Sequence, residues 1–361
     1  MKILFVIEQL NGGGAERVTA LLASELSNRE GIEVFLCKYY STEDEYENSS
    51  RVTQFCNQTH YAEKYKEIIC NNRYTNHILK VVHPDVVISL SMYKANIPLA
   101  FGNIRRPFKL VLSERNDPSR LPSKMYLKKL RDISYMLADG IVFQTEDAQR
   151  YFNEKLKSVV IPNPVNIPDG VAYTANREKY IINCSRLNEQ KNLPMLIKAF
   201  SMISHAYPDY TLRIYGNGPD KASLINLIDK LELSDKIQLC GYDKNILDKI
   251  SKASIYVSSS DYEGISNSMI EALALGTPTI CTDCPIGGAR LMIKHGENGL
   301  LVKVGDIDGL AKAMNTMLSD YQAALLMGKR AINIREDFSI TKIASMWLRF
   351  FDTIGAGKAG L

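Results

Sequence analysis

Three stretches in the second half of the chain carry residue types that handle anions and sugars. Ser185-Arg186-Leu187-Asn188-Glu189-Gln190-Lys191-Asn192 follows an apolar run, Tyr180–Cys184, and precedes a helical stretch, Leu193–Ala206. Arg186 and Lys191 would then stand beside a helix start, where fixed positive charge and free backbone N–H groups together meet an anion. A diphosphate requires that arrangement both when bound and when it departs as a leaving group. Two solvated surface charges are the plainer alternative. Gly216-Asn217-Gly218-Pro219 follows a second run, Thr211–Tyr215. Its glycines let backbone come close to a ligand, or make an ordinary tight turn. The third stretch, Ser258–Ala272, leaves a strand ending at Val257, turns at Gly264 and enters a helix near Ser266 that Gly276-Thr277-Pro278 closes. Glu263 lies in the loop and Glu271 on the helix, eight residues later. Two carboxylates invite a glycosidase reading, yet this pair cannot share a helix face as a simple acid/base couple. Ser266, Asn267 and Ser268 would offer N–H groups at the helix start, a further anion site.

The first half holds two more candidates. Gly12-Gly13-Gly14-Ala15-Glu16-Arg17 follows the run Lys2–Ile7. Its third glycine comes too early for G-x-G-x-x-G, although Glu33 falls where a ribose-binding acid would lie. A glycine loop entering a helix is a general device for anions and close backbone approach. The segment Lys94–Arg131 contains ten Lys and Arg (Lys94, Arg105, Arg106, Lys109, Arg115, Arg120, Lys124, Lys128, Lys129 and Arg131) against Glu114 and Asp117. Leu121, Met125, Tyr126, Leu127 and Leu130 are interleaved with them. Basic residues with apolar and aromatic teeth suit an anionic membrane surface or a phosphorylated lipid; a solvated face is the alternative.

The elements that position these residues repeat. Each half opens with strand, short loop and helix, the start of a parallel α/β domain. Further strands are expected at Ile32–Lys38, Val86–Leu90, Leu110–Ser113 and Ile141–Gln144, then at Ile237–Cys240, Ile255–Ser258 and Thr279–Cys281. Thr42–His77 is polar, rich in Tyr and Asn, and gives no clear period. Ile161-Pro162-Asn163-Pro164-Val165-Asn166-Ile167-Pro168-Asp169-Gly170 carries prolines at a density that stops helix and sheet alike, and marks the inter-domain linker. Ser339–Thr353 is an amphipathic helix whose Ile343, Met346, Trp347, Phe350 and Phe351 must dock on something. Two such domains imply a cleft, with ligands at the carboxyl ends of the strands.

Composition narrows the classes. The chain has 361 residues, enough for two domains, and ordinary apolar and charged fractions. A net charge of +4 is too small to argue for nucleic acid. Its seven cysteines sit mostly in apolar runs and read as reduced, buried thiols; Cys281-Thr282-Asp283-Cys284 has no second pair to make a zinc site. The N-terminal apolar run is too short for a signal-peptide core, and no run approaches a membrane span. A cytoplasmic protein is expected.

Taken together, the motifs resemble the retaining glycosyltransferases of family 4, which have the GT-B fold. The resemblance rests on Gly13-Gly14-Ala15-Glu16-Arg17, Ile161-Pro162-Asn163-Pro164-Val165, Arg186-Leu187 with Lys191-Asn192, and Gly216-x-Gly218-Pro219. Glu263-Gly264 through Glu271-Ala272 forms the family's E-x7-E element, and Gly296-x-Asn298-Gly299-Leu300-Leu301-Val302 completes the series. It implies two Rossmann-like domains facing across a cleft: residues 1–163, taking the acceptor, with the C-terminal helix 339–355 crossing back to this N-domain; and residues 164–338, taking the nucleotide sugar. Arg186 and Lys191 would hold the diphosphate and stabilise its departing charge, and Glu263 would lie by the donor sugar. Glu271 would bind the ribose, Ile265, Ser266 and Asn267 would give N–H groups to the diphosphate, and Gly13, Gly14, Gly216 and Gly218 would line the donor site. Many relatives carry a histidine after the strand ending here near Leu112, where this chain has Ser113-Glu114-Arg115-Asn116. Glu114, Arg115 and Asn116 are therefore candidates to position acceptor or donor.

The activity so implied is transfer of a hexose or N-acetylhexosamine, with retention, from a nucleotide sugar, UDP-linked by expectation, to a polyprenyl-diphosphate-linked saccharide. Ser113–Asn116 with Cys284-Pro285-Ile286-Gly287-Gly288-Ala289-Arg290 is similar to a bacterial subgroup acting on O-antigen, capsule or glycan precursors. No cofactor or metal is expected beyond the donor substrate. The expected partners are the nucleotide sugar, the lipid-linked acceptor and, through Lys94–Arg131, the anionic cytoplasmic face of the inner membrane. A GT-B sugar-nucleotide 2-epimerase or hydrolase, or a nucleotide-sugar-binding subunit without turnover, is the alternative.

Overall fold

Short apolar strands alternating with helices must pair in parallel, because each crossover helix returns the chain to the same end of the sheet. The computed structural model describes residues 1–57, 64–91, 93–102, 106–152, 155–168, 171, 173–174 and 176–356, and of residues 64, 65, 93 and 94 only the backbone. Arg105, the Lys94 side chain and Asp169-Gly170 of the linker therefore lie outside the described residues. The chain divides into two compact units, Met1–Pro164 with Phe338–Leu361, and Val165–Asp337.

The first unit runs β1 (Lys2–Ile7), α1 (Gly14–Ser27), β2 (Glu33–Lys38), β3 (Thr53–Cys56), α2 (Lys64–Val82), β4 (Val86–Ser89), α3 (Tyr93–Gly102), β5 (Lys109–Glu114), α4 (Met125–Leu137), β6 (Gly140–Phe143), α5 (Glu146–Arg150) and β7 (Ser158–Val160). Its sheet has the order β3-β2-β1-β4-β5-β6-β7, parallel throughout. β4 and β6 are buried along their whole length, which is why they read as continuous apolar runs rather than alternating ones. Thr42–His77, which gave no period, contributes β3 and much of α2. β3 pairs only with β2 and leaves Thr53 and Gln54 exposed, so no hydrophobic alternation marks it.

The second unit runs β8 (Glu178–Cys184), a 3-10 turn (Glu189–Lys191), α6 (Leu193–Ile203), β9 (Thr211–Tyr215), α7 (Lys221–Lys230), β10 (Ile237–Gly241), α8 (Ile246–Lys252), β11 (Ala253–Ser258), α9 (Asn267–Ala274), β12 (Thr279–Thr282), β13 (Leu300–Val302), α10 (Ile307–Ser319), α11 (Tyr321–Ala331) and α12 (Ile334–Asp337). The order β10-β9-β8-β11-β12-β13 is again parallel. In both sheets the strand order reverses beside the first strand, the doubly wound Rossmann pattern that opens a crevice at the strands' carboxyl ends.

The last helix, α13 (Ile340–Thr353), belongs to the first unit. Ser339 caps it, its side chain accepting the Lys342 N–H. Trp347, Phe350 and Phe351 join the core that α1 and β1 build. Gly140 makes room for it: a Cβ there would stand 2.6 Å from the Phe350 ring. Each such aromatic removed from water contributes about 1.5–3 kcal/mol, which fixes the chain's return to the first sheet.

Candidate active site

In the second unit the reversal falls between β8 and β11, which are hydrogen-bonded neighbours. Their following loops, Ser185–Asn192 and Ser259–Ser266, are the two that the sequence singled out. They are tied together. The Asp261 N–H donates to the Gln190 carbonyl at 2.9 Å, and Ser259 Oγ to the Lys191 carbonyl at 2.9 Å. Asn192 Nδ2 donates to Asp261 Oδ1 at 2.7 Å, and Gln190 Nε2 to the Tyr262 carbonyl at 2.9 Å. Lys191 Nζ forms an ion pair with Glu263 Oε2, the two side chains 12% and 19% exposed. Asn192 adopts left-handed angles (φ 41°, ψ 48°) that a short amide tolerates, and its Oδ1 caps α6 by accepting the Met195 N–H. Lys191 is thus held at a bend of fixed geometry, beside a helix start.

The start of α9 is built as firmly. Ser266 is its N-cap and accepts the Met269 N–H. Ser268 Oγ donates to the Cys184 carbonyl at the end of β8 (2.8 Å) and pairs with the Tyr256 hydroxyl at 2.8 Å. Ile265 is buried, whereas Ser266 and Asn267 are partly exposed. Glu271 is buried on α9 with Cys184 in its field. Arg186 stands exposed at the other side of the first loop. The structure therefore gathers Lys191, Glu263, Ser266, Asn267 and Glu271 around the carboxyl ends of two adjacent strands. A small hollow beside them is lined by Ser258, Ser260, Glu263, Gly264, Ser266 and Cys284.

The glycines of Gly216-Asn217-Gly218 have a partner inside the protein. A Cβ on Gly216, whose φ is +133°, would lie 1.9 Å from the Ser185 carbonyl oxygen; one on Gly218 would lie 2.1 Å from that of Leu187. The Leu187 N–H donates to the Asn217 carbonyl at 3.0 Å, and the Asp220 N–H to the Leu187 carbonyl at 3.0 Å. The close approach these glycines allow is to the Ser185–Leu187 backbone, so their local job is to seat the loop that carries Arg186. Gly288, quoted in sequence but given no role, does the same behind Glu263: its Cβ would lie 1.7 Å from the Gly264 carbonyl oxygen. Gln190, Asn192 and Asp261 were likewise given no role by the sequence, because their bonds join loops about seventy residues apart.

In the first unit, Gly12 needs its left-handed φ of +68°, Gly13 precedes α1 as its N-cap, and Gly14 is exposed at the helix start. Glu114 points inward. It is 3% exposed and accepts the Arg115 and Asn116 N–H groups at 3.1 and 3.3 Å and the Tyr135 hydroxyl at 3.1 Å, with Arg131 Nη1 3.7 Å away. Burial pushes its carboxyl up to about 7, against the pull of Arg131 and Tyr135. Arg115 and Asn116 are partly exposed.

The Lys94–Arg131 stretch is not one basic surface, which corrects that part of the expectation. Arg131 is buried, donating to the Pro118 and Leu121 carbonyls at 2.8 and 2.6 Å. Arg106 and Lys109 both pair with Asp139, and Lys128 Nζ donates to the Ser119 carbonyl. On and beside α4, Lys124 and Lys129 are exposed together with Met125, Tyr126, Ile133 and Met136. The thiols are also less uniformly buried than expected. Cys37, Cys281 and Cys284 are buried, while Cys56, Cys70, Cys184 and Cys240 are intermediate; all seven are free. Burial raises Cys284 to about 12. Among the described residues, no three His, Cys, Asp or Glu side chains gather as metal ligands, and no helix is long and apolar enough to cross a membrane.

Comparison with known proteins decides the class. Residues 172–334 match the family model described as "Glycosyl transferases group 1", which covers the whole of the loop pair above. The chain is a glycosyltransferase with the GT-B fold. This glycosyltransferase is 28% identical to a Campylobacter jejuni protein named N-acetylgalactosamine-N,N'-diacetylbacillosaminyl-diphospho-undecaprenol 4-alpha-N-acetylgalactosaminyltransferase, with 97% of this chain and 99% of that one covered. Among solved structures, it shares its fold with sucrose-phosphate synthase from Thermosynechococcus elongatus (TM-score 0.85, 17% identity, 99% and 100% of the two chains covered). It shares it also with Anabaena Alr3699/HepE in complex with UDP and glucose (TM-score 0.80, 18% identity, 98% and 100% covered).

Proposed function

We propose that this glycosyltransferase moves a hexose or N-acetylhexosamine, with retention, from a UDP-linked donor to a polyprenyl-diphosphate-linked saccharide in the assembly of a bacterial surface polysaccharide such as O-antigen or capsule. The observation that carries it is the pair of loops at the reversal of the second sheet, which fixes Lys191 against Glu263 beside the start of α9. The undecaprenol-linked substrate in the relative's name supports the acceptor class, and the UDP held by the Anabaena protein supports the donor.

The anomeric carbon's bond to the diphosphate oxygen breaks while an acceptor hydroxyl forms the new glycosidic bond on the same face of the sugar. The hydroxyl proton passes to the departing phosphate oxygen. Negative charge grows on that oxygen, and Arg186, Lys191 and the N–H groups of Ile265, Ser266 and Asn267 would meet it. Lys191 can do so while paired, because an ammonium has further donors beyond the one taken by Glu263. Glu263, kept in place by Lys191 and by Gln190 Nε2 at 3.4 Å, would accept from the donor's sugar hydroxyls. Glu271 would take the ribose hydroxyls, with the backbone of the Gly216–Gly218 turn beside it. Asp261 and Glu263 each have a protein partner, Asn192 and Lys191, and no metal enters the proposed transfer. Lys124, Lys128 and Lys129, with the exposed Met125, Tyr126, Ile133 and Met136, would rest on the anionic cytoplasmic face of the inner membrane.

A panel of UDP sugars offered to the purified chain with a short polyprenyl-diphosphate sugar tests this reading. Release of UDP together with an elongated, α-linked product is expected for at least one donor. An isomerised donor, or free sugar with no product in the presence of acceptor, would refute it.

A further inference from the structure

The carboxyl end of β5 leads directly into a cationic position, Arg115. Arg115 is partly exposed. Its Nη2 donates to Asn163 Oδ1 at 2.5 Å and its Nη1 lies 3.4 Å from Ser113 Oγ. Asn163 is 2% exposed, and the same Oδ1 accepts Gln144 Nε2 at 2.6 Å. Arg115 Nε is buried with no protein partner. The backbone behind Arg115 is fixed from inside the unit. Glu114 holds the Arg115 and Asn116 N–H groups, while Arg131 grips the Pro118 and Leu121 carbonyls, so the whole turn from Glu114 to Leu121 closes around one buried Glu–Arg–Tyr group.

The partners differ in charge. Arg106 and Arg131, which serve the fold, are both paired with carboxylates. The side chains that grip the Arg115 guanidinium are a neutral amide and a neutral hydroxyl. Glu114, its neighbour in the chain, spends its oxygens on backbone N–H groups, Tyr135 and Arg131. Burial lowers the Arg115 guanidinium to about 9 against the pull of Glu114, so a cation whose gripping side chains are neutral gains from an anion that meets its remaining Nη hydrogens.

We propose that Arg115 is a preorganised diphosphate-binding residue of the first unit, and that Asn163 and Gln144 on one side and Glu114, Tyr135 and Arg131 on the other act as the residues that position it. Diphosphates occur in both substrates of the proposed reaction, the nucleotide sugar and the lipid-linked saccharide, so the inference rests on that reading for the identity of the ligand.

Asn163→Asp is the discriminating variant. It keeps the shape and both accepted hydrogen bonds, but sets a carboxylate on the guanidinium. Titrating the full chain by calorimetry with UDP, and separately with a short polyprenyl-diphosphate sugar in detergent, reads binding without turnover. A Kd raised at least about tenfold for one ligand, with Tm no lower than wild type, is expected. The arm that moves names the diphosphate. Arg115→Gln should weaken the same arm, and adding Asn163→Asp to it should cost nothing more. Should Asn163→Asp not fold, Arg115→Gln alone decides. Binding of both ligands within twofold of wild type by a folded Asn163→Asp or Arg115→Gln would overturn the inference, leaving Arg115 a fastening between its turn and Asn163. Wild-type chain that binds these ligands but transfers no sugar would count against the proposed function alone.

Discussion

Adding one methyl group at Gly216 should cripple transfer while leaving the first unit untouched. The new Cβ would be placed 1.9 Å from the Ser185 carbonyl oxygen. Ordinary carbon–oxygen contact requires the two loops to separate by at least about 1 Å. The φ of +133° adds strain for any side chain, on the order of 1–3 kcal/mol. Separation of that size breaks the Ser185 N–H bond to the Tyr215 carbonyl (2.9 Å) and displaces the Leu187 N–H from Asn217 (3.0 Å), with Arg186 between them. If Arg186 meets the developing charge as proposed, a displacement of about 1 Å costs about 10²-fold in rate, or about 2.7 kcal/mol. The assay is kcat/KM for sugar transfer by Gly216→Ala beside its unfolding curve. A fall of about 10²-fold with a Tm lowered by a few degrees is expected. Wild-type kcat/KM would refute the claim that these glycines exist to seat the Arg186 loop.

Other consequences follow from the same geometry. Folding raises the Glu114 carboxyl to about 7 from 4.5, so the native chain holds a proton that the unfolded chain has lost between those values. Stability from this group is therefore full below about pH 4.5 and lost as pH rises through about 7; the unfolding free energy of wild type minus that of Glu114→Gln should fall by on the order of 1–3 kcal/mol between pH 4.5 and 8, and a flat difference would contradict it. Trp347 is the chain's single tryptophan and is buried in the first unit, so its emission should be blue-shifted and report that unit's unfolding alone, while Trp347→Ala should cost about 3–5 kcal/mol in denaturant melts. Cys37, Cys281 and Cys284 should resist a thiol reagent at pH 8 until denaturant is added; rapid labelling of Cys284 in the native chain would show the β12 loop to be open. Vesicles with anionic lipid should bind the chain more tightly than neutral ones, and replacing Lys124, Lys128 and Lys129 with Gln should remove the difference.

The residues that repeat along the chain were the legible ones. Apolar runs such as Tyr180–Cys184 and Val86–Leu90 are buried on both faces of a parallel sheet, and such strands announce themselves whatever surrounds them. The Glu263–Glu271 segment could be read because strand, turn, cap and helix follow one another locally. β3, with two of its four residues exposed, and β7, a three-residue strand that is only half buried, lacked that signal. The loop contacts were hidden for another reason. Lys191 and Glu263, or Arg115 and Asn163, meet only after the sheet has set its strand order, and nothing in spacing along the chain encodes that meeting. Arg131 misled in the same way: beside Lys128 and Lys129 it reads as one more surface charge, and only the inward turn of Glu114 shows why it is buried.

The decisive measurement is transfer by Lys191→Met with the best UDP sugar and a polyprenyl-diphosphate acceptor. Removing one fixed charge from the departing diphosphate should lower kcat by about 10²–10³-fold, while the chain stays folded and UDP binding weakens less than kcat falls. Undiminished kcat in a folded Lys191→Met would contradict the assignment of the β8–β11 loop pair as the place where the sugar is transferred.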